Sequence, residues 1–471
     1  MVEIKEKRIP IPEQESKVRI QNFNEVVLGY SEEQAVEEAS RCLNCKNPKC
    51  IEGCPVNLNI PQFIKLIKER NFEESYEEIS KSLLFPCITG RVCPQESQCE
   101  GSCILGKRKN TDPVAIGNLE RFIGDWARER NLYPQFDIKE NGKSIAIIGS
   151  GPAGMTVAFD LRKLGYDITM FEALHVAGGV LIYGIPEFRL PKIIVRREIN
   201  KLERLNVKIR YNTLIGSTLN FEDLERDYNA IFIGTGAGLP KYLNVPGEEL
   251  SGIYFANEFL VRTNLMNANK FGIYTTPIKI GKNIGVVGGG NVAMDCARVA
   301  RRFGANVTLY YRRTVENMPA RKAEIHHALE EGIIFKELTD PKEFIGENGF
   351  LRAVKYEINK LSEDVDKSGR KYPIPTGEFK IDPIDIFIVA IGQDPNPLLR
   401  KKVSYLPTDR HGYLQVNPIT LKVNTNSNSL IFAGGDIIGN QYKNTGGTVI
   451  AAMEHGRVAA NSIHKLLEKV I

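Results

Sequence analysis

The sequence predicts an α/β protein preceded by a small all-helical domain, and three observations predict it. A short apolar strand, a glycine loop, a helix and a second strand follow one another at residues 145–172, and the same order recurs at 283–311. The second copy interrupts the first, because a further strand and glycine turn of the first type, Ile431-Phe432-Ala433-Gly434-Gly435, comes only after it. Eight of the nine cysteines lie between Cys42 and Cys103, in a stretch whose apolar residues keep helical spacing. The expected layout is a helical domain over 1–140, one Rossmann-like domain over 141–240 and 386–471, and a second, inserted, over 241–385.

Composition narrows the function classes. A net charge of +5 is small for 471 residues and mixed in sign, so no nucleic-acid partner is expected. The first ten residues, MVEIKEKRIP, are charged and lack the apolar core of a signal peptide. The most apolar window, Ile384 to Ile391, is too short to span a bilayer and contains Asp385. A cytoplasmic location without membrane insertion is therefore expected. An odd number of closely spaced cysteines argues against a disulfide framework and for thiolate ligation of metal.

In chain order, residues 1 to about 24 are polar, carry Pro10 and Pro12, and read as an extended arm lying on something else. Ser31-x-x-Gln34 is a capping box that opens a helix delivering Cys42. The run Cys42-x2-Cys45-x4-Cys50-x3-Cys54-Pro55 follows. Asn59-Ile60-Pro61 begins a helix with Phe63, Ile64 and Ile67 on one face, and another helix covers about 73–83. Then come Cys87 and the run Cys93-x5-Cys99-x3-Cys103. Asp112-Pro113 reads as a cap followed by proline at the first position of a helix that carries Leu119, Phe122, Ile123 and Trp126 at core spacing.

In ferredoxin-type runs three close cysteines bind one iron–sulfur cluster, and a fourth, followed by proline, binds another. Cys54-Pro55 suits that last part. The alternative is a pair of structural zinc sites, but zinc knuckles usually come as two CxxC pairs and only Cys42 and Cys45 form one. Cys42, Cys45 and Cys50 need a fourth ligand, for which Cys103 is a candidate. Cys54, Cys93 and Cys99 also need one, and a count of thiols alone supplies Cys87. Cys296 stands by itself on a helix and reads as a small buried hydrophobe. No CxxC occurs outside the helical domain, which argues against dithiol chemistry.

The first glycine loop is Gly149-x-Gly151-x-x-Gly154, with Pro152 and Ala153 inside it. Gly149 permits the tight turn, Gly151 the approach of a pyrophosphate, and Gly154 close packing of helix on strand, so that the helix N-terminus faces the phosphates. Glu172 ends the second strand, where a carboxylate accepts from ribose hydroxyls. Ile231 to Ala237 is a buried strand ending in another glycine turn. The second loop, Gly288-x-Gly290-x-x-Ala293, leads through a helix at 294–303 to the strand 307–311. No acid ends that strand; Arg312 and Arg313 do. Glu172 suits FAD or NAD, whereas two arginines suit a 2′-phosphate, so NADP(H) is favoured over NAD(H) at the second site. The alternative is that both arginines are solvated charges. Asp436, after Gly434-Gly435, stands where a flavin ribityl chain can be bound. Thr448 opens the last helix, either as an ordinary cap or beside reduced flavin. His455, on that helix, is assigned no role.

Several motifs together carry a resemblance over essentially the whole chain. They are GSGPAG from Gly149, AGG and IPEFRLP between Ala177 and Pro191, GGGNVAMD from Gly288, YRR from Tyr311, FAGGD from Phe432, RCLNCKNPKCIEGCPVN from Arg41 and ITGRVCPQESQCEGSC from Ile88. The chain resembles the NADPH-oxidising small subunit of bacterial glutamate synthase and the N-terminal half of dihydropyrimidine dehydrogenase. It is most similar to the large subunit of the electron-bifurcating NADH-dependent ferredoxin:NADP+ oxidoreductases.

The resemblance implies a glutathione-reductase-like arrangement with FAD, NADP(H) and two [4Fe-4S] clusters. It implies one cluster on Cys42, Cys45, Cys50 and Cys103. The other takes Cys54, Cys93, Cys99 and a non-cysteine ligand, glutamine in dihydropyrimidine dehydrogenase, at the position of Glu120. Glu120 is preferred to Cys87. Further FAD contacts are implied at Gly178, Gly179, Val180, Arg189 and Ile215, beside Gly435, Asp436 and Thr448. NADP(H) contacts are implied at Asn291, Val292, Arg312, Arg313 and the turn Ala390-Ile391-Gly392. The chemistry is borne by the cofactors, and no side-chain acid or base is expected. NADPH is expected to exchange a hydride with the flavin, with single electrons relayed through the clusters. The expected partner is a second redox subunit, either a ferredoxin-reductase-like flavoprotein or the glutamate synthase large subunit, with ferredoxin a further possibility. Glutamate synthesis itself needs an amidotransferase nucleophile and an FMN barrel; residue 2 is valine and no barrel repeat is present. A rival of another class is a zinc-containing docking module that senses nucleotides without turnover.

Overall fold

The computed structural model describes residues 5–366, 369–443 and 446–469. Val2 and the first residues of the arm lie outside them.

The helical domain is built from the helices Glu32–Ala39, Ile60–Lys68, Phe72–Ser82, Pro86–Val92 and Ile116–Glu129. The capping box forms as expected: the Ser31 hydroxyl accepts from the Gln34 N–H at 3.2 Å and the Gln34 carbonyl oxygen accepts from the Ser31 N–H at 2.9 Å. Phe63, Ile64, Ile67, Leu119 and Ile123 are fully buried, each contributing about 1.5–3 kcal/mol of apolar transfer. Asp112-Pro113 does not cap the last of these helices, which begins at Ile116. The Asp112 carboxylate instead accepts from the Arg8 N–H at 3.3 Å, and its carbonyl from Arg41 Nη2 at 2.6 Å. Carboxylates from afar meet its start: Glu100 accepts from the Gly117 N–H at 3.1 Å, and Glu38 accepts from the Ala115 N–H at 2.8 Å while pairing with buried Arg41 at 2.7 Å.

The same carboxylate accepts from the Ile9 N–H at 2.7 Å, which fixes the N-terminal arm on the helical domain. The arm then crosses to the inserted fold. Phe23 packs edge-on against Phe303, Val26 N–H donates to the Phe188 carbonyl at 2.9 Å, and Arg19 pairs with Glu331 at 2.9 Å.

The first nucleotide fold is a five-stranded sheet in the order Ile431–Ala433, Ala230–Ile233, Ser144–Ile148, Asp167–Phe171, Lys208–Arg210, all parallel. The second has the order Ile253–Phe255, Ile386–Val389, Asn283–Val287, Asn306–Tyr311, Ile334–Glu337, again parallel. The strand Ile386–Val389 therefore sits in the middle of the second sheet, and the boundary expected before residue 386 is corrected to lie beyond it. Its four apolar residues are buried on both faces, as a central parallel strand requires. The two chain crossings between the folds pair with each other, Leu239–Pro240 antiparallel to Gln393–Asp394.

A three-stranded antiparallel sheet, Thr339–Glu347, Phe350–Val365 and Lys371–Pro383, precedes Ile386. Sequence patterning had not revealed it. Prolines 341, 373, 375 and 383 and the high charge of these strands break the apolar alternation that marks a strand.

One apolar core runs from the helical domain into the first nucleotide fold, while the inserted fold has a core of its own. Arg457, on the C-terminal helix Val449–Glu468, reinforces the first junction by donating to the Val56 carbonyl at 2.7 Å and to the Ser82 carbonyl. Among the described residues no helix is long and apolar enough to cross a membrane.

Candidate cofactor sites

Cys42, Cys45, Cys50 and Cys103 surround one pocket whose other walls include Ile60, Ile64, Leu105 and Ile116. The helix Glu32–Ala39 delivers Cys42, and Asn44 takes a left-handed conformation (φ 47°) that turns the chain back between Cys42 and Cys45. Burial pushes the Cys42 and Cys50 thiols up, Cys50 to about 12, and the neighbouring thiols add to the shift. Thiols raised this way ionise only against a strong local positive charge, which a metal centre provides. Among the described residues no three histidine, cysteine or acidic side chains converge on a single-ion position. Four thiols lining an apolar pocket are a donor set that iron–sulfur clusters use.

The second set is deeper. Burial, and with it the charge of nearby Glu120, pushes the Cys54, Cys93 and Cys99 thiols up; at Cys99 the Glu100, Cys54 and Cys93 charges act as well. Glu120 is 6% exposed; burial pushes it up to about 7, and the Thr89 hydroxyl donates to it. Cys87 is elsewhere. It faces Glu198 and Lys201 on the helix Lys192–Arg204, with Glu198 and Lys201 paired at 2.9 Å. The structure thus gathers Glu120, and not Cys87, with these three cysteines. Thr89 and Gln95 went unnoticed in the sequence. The Gln95 amide donates to the Thr89 and Gly90 carbonyls at 3.3 and 3.2 Å.

At the first glycine loop, Gly149 has φ +98°, and a Cβ there would lie 2.5 Å from the Gly234 carbonyl oxygen. Gly151 precedes the helix Pro152–Lys163, with nothing within 4 Å of the position a Cβ would take. Gly179, in Gly178-Gly179-Val180, backs onto Gly151. Ala153 and Gly154 lie in the first helical turn, where Gly154 abuts the Gly149 carbonyl. Glu172 follows the strand Asp167–Phe171; one oxygen accepts from the Ser150 N–H at 3.1 Å and from its hydroxyl, the other from the Leu174 N–H at 2.9 Å. Ser150 also accepts from the Gly178 N–H at 3.1 Å, so this residue, hidden in the loop's variable position, joins two predicted contacts, Glu172 and Gly178. Tyr183 is a second such residue. Burial, then the Asp436 and Glu172 charges facing it, push its hydroxyl up to about 12. Asp436 accepts from the Gly447 N–H at 3.0 Å, and Thr448 caps the last helix by accepting from the Ala451 N–H at 3.3 Å. Gly435 N–H donates to Nδ1 of His455 at 3.1 Å. Ile215 is buried near this fold's edge.

Arg189, for which the resemblance implies a flavin contact, is paired with two carboxylates. It forks onto both Asp295 oxygens at 2.7 and 2.8 Å and stands 3.0 Å from Glu324, bridging the two nucleotide folds.

At the second loop Gly288 has φ +141°, and a Cβ would lie 2.3 Å from the Ala390 carbonyl oxygen, so the loop backs onto the Ala390-Ile391-Gly392 turn. Gly290 precedes the helix Asn291–Arg302, which starts one turn earlier than expected and leaves Val292 at the surface. The two arginines part company. Arg312 is exposed at the strand end, whereas Arg313 is 5% exposed, donating to the Lys371 carbonyl at 2.7 Å and to Asp366 at 2.9 Å. The antiparallel sheet that the sequence hid is what captures Arg313. Cys296 is buried in the inserted fold's core.

Comparison with known proteins gives the chain's family. Residues 19–132 match the family model described as dihydropyrimidine dehydrogenase domain II, 4Fe-4S cluster, and residues 143–456 match the pyridine nucleotide-disulphide oxidoreductase family. The glutamate synthase [NADPH] small chain of Escherichia coli is 35% identical over 98% of this chain and 97% of its own length. The NADP(+)-dependent formate dehydrogenase subunit beta of Moorella thermoacetica is 37% identical over 89% of this chain and 60% of its own. Among solved structures, Mycobacterium tuberculosis FprA in complex with NADPH superposes with a TM-score of 0.58 over 70% of this chain and 85% of its own, at 20% identity, a likeness of fold. The chain belongs to the glutamate synthase small-chain family, in which an iron–sulfur domain precedes a pyridine nucleotide-disulphide oxidoreductase fold, and is an NADP(H)- and FAD-dependent, 4Fe-4S-containing oxidoreductase.

Proposed function

We propose that the chain is the NADP(H)-handling subunit of a larger redox enzyme, with FAD on the first loop, NADP(H) on the second and two [4Fe-4S] clusters on the two cysteine sets. The observation that carries this reading is the pair of ligand sets, one half-exposed and one buried, in a domain sharing its core with the first nucleotide fold. Flavin, when bound, takes a hydride as two electrons and yields them singly, while each cluster carries one. The chain's own residues supply position: Gly151 and Gly290 open two helix N-termini to phosphates, and Arg312 offers an exposed guanidinium for a 2′-phosphate. Glu120 is the favoured eighth cluster ligand.

The half-exposed set is the exit. Lys46, Lys107, Arg108 and Lys109 are exposed close to it in sequence, and among the described residues none is paired with a carboxylate. Such a basic rim suits an acidic electron carrier or partner face. The favoured assembly is the large subunit of an NADH-dependent ferredoxin:NADP+ oxidoreductase, supported by the form of the first cysteine run. The second reading, the small chain of glutamate synthase, is favoured by the end-to-end match with the Escherichia coli chain. Purification from the native host distinguishes them: a ferredoxin-reductase-like companion supports the first and an amidotransferase-sized companion the second. Anaerobic mixing with NADPH tests the common core, and a flavin that fails to bleach overturns it. Iron with broad absorbance near 400 nm, rather than zinc, separates both from the docking-module rival.

A further inference from the structure

Arg321 ties the second nucleotide loop to the buried cysteine set. Its backbone N–H donates to Oδ1 of Asn291 at 2.9 Å, and Asn291 is the first residue of the helix that opens at Gly290. Its guanidinium crosses into the helical domain, donating to the Arg91 carbonyl at 3.1 Å and to Oε1 of Gln95 at 2.8 Å, with Glu96 flanking it at 3.4 Å. Gln95 continues the connection through its bonds to the Thr89 and Gly90 carbonyls, and the Thr89 hydroxyl donates to Glu120. The path has little room to relax, since a Cβ on Gly117 would lie 2.4 Å from the Gln95 amide nitrogen. Hydrogen bonds linked through the covalent frames of Arg321, Gln95 and Thr89 therefore connect the mouth of one cofactor site to a ligand position of another.

We propose that Arg321 is a positioning residue that couples occupancy of the second nucleotide site to the reduction potential of the cluster held by Cys54, Cys93, Cys99 and Glu120. This rests on the cofactor assignment above. Two physical effects support it. A fixed guanidinium beside the Cys93 segment stabilises the more negative, reduced state and so raises the potential. Glu96 offsets that charge only in part, because it is a third exposed and pairs at a longer distance. A phosphate arriving at Gly290 and Asn291 acts on the residue that anchors Arg321, and by linkage the reduced cluster must change nucleotide affinity by the same factor that the nucleotide changes reduction.

The test uses the full-length protein with its cofactors. Cluster potentials are followed by electron paramagnetic resonance during redox titration, with and without NADP+, in the wild type, Arg321→Gln and Arg321→Lys. Nucleotide affinity is measured on the oxidised and the reduced protein. In the wild type, NADP+ shifts the potential of one cluster, and affinity differs several-fold between oxidation states. Arg321→Gln moves that cluster to lower potential, leaves the other unchanged and removes the several-fold difference. Arg321→Lys keeps a positive charge but loses the fork, so it retains more of the potential while losing the nucleotide response. Unchanged potentials in Arg321→Gln, an equal shift of both clusters, or wild-type affinity blind to oxidation state would each overturn the coupling. Fewer than two clusters, or no NADP+ binding, would instead overturn the cofactor assignment on which it rests.

Discussion

Arg312 and Arg313 are adjacent in sequence and opposite in circumstance. Arg312 is open at the strand end while Arg313 is held by Asp366 and the Lys371 carbonyl. Arg312→Ala is expected to raise KM for NADPH by about 10- to 100-fold, the loss of one charge-assisted phosphate contact of roughly 1.5–3 kcal/mol, and to leave KM for NADH nearly unchanged. Arg313→Ala should lower the melting temperature of the inserted fold with little discrimination between the two nucleotides. Steady-state kinetics with both nucleotides decides it, and equal loss of NADPH selectivity in the two variants would refute the division of labour. His455 yields a pH prediction. It is fully buried, and burial pushes its imidazole down to about 4 while Nδ1 accepts from the Gly435 N–H. A base whose folded value lies below its unfolded one binds fewer protons when folded. Its contribution is complete above pH 6.5 and declines as pH falls from there toward 4. Between pH 7 and 5 the first nucleotide fold should lose about 2 kcal/mol of stability. Denaturant midpoints read by flavin fluorescence should show that slope in the wild type and a much flatter one in His455→Gln. At this scale the sequence disclosed the chemistry of side chains but not their partners: the resemblance implies a flavin contact at Arg189, and nothing local reveals its ion pairs with Asp295 and Glu324, more than a hundred residues away.

Secondary-structure elements were legible where their signals are local. The capping box at Ser31, the apolar face of Ile60–Lys68 and both strand–loop–helix units depend on neighbours within a few residues. The start of the helix Ile116–Glu129 is not local, because the carboxylates that meet it, Glu38 and Glu100, come from distant segments. The antiparallel sheet at residues 339–383 escaped because its outer strand, Lys371–Pro383, is largely exposed and interrupted by prolines, so no buried face imposed an alternation. The segment after Cys103 carries a prediction of its own. Lys107, Arg108 and Lys109 follow the half-exposed thiols with Ile104, 40% exposed, among them. Charge reversal at Lys107 and Lys109 together should cut the rate of electron transfer to an acidic carrier protein at low salt by at least tenfold, and should abolish the fall in that rate as salt is raised. Reduction of a small neutral acceptor should be unaffected. A variant that keeps the wild-type salt dependence would place the exit elsewhere.

The molecule as a whole divides along its cores and not along its sequence. The helical domain and the first nucleotide fold bury one continuous apolar cluster, although the chain passes from one to the other through a polar linker near residue 140. The inserted fold has a core distinct from that one, which Phe188 and the N-terminal segment's Phe23 and Val26 also enter, and it is further joined to the rest by the paired crossings Leu239–Pro240 and Gln393–Asp394, the Arg189 bridge and Arg321. Apart from Phe23, Val26 and Phe188 these ties are polar, and polar ties resist motion less than a large shared apolar core, because removing water from them gives little net gain. Cooperative unfolding should follow the same division. Calorimetry of the cofactor-loaded protein should show two transitions, and NADP+ should raise only the one belonging to the inserted fold, by the amount mass action dictates. Loss of iron and of flavin should coincide in the other transition, since one core supports both. Arg189→Gln should lower the first transition and widen the gap, because it leaves two buried carboxylates, Asp295 and Glu324, without their shared cation. If iron and flavin were released at separate temperatures, the helical domain and the first fold would have to be treated as independent bodies, and the route from nucleotide to cluster would cross a looser junction than the continuous core describes.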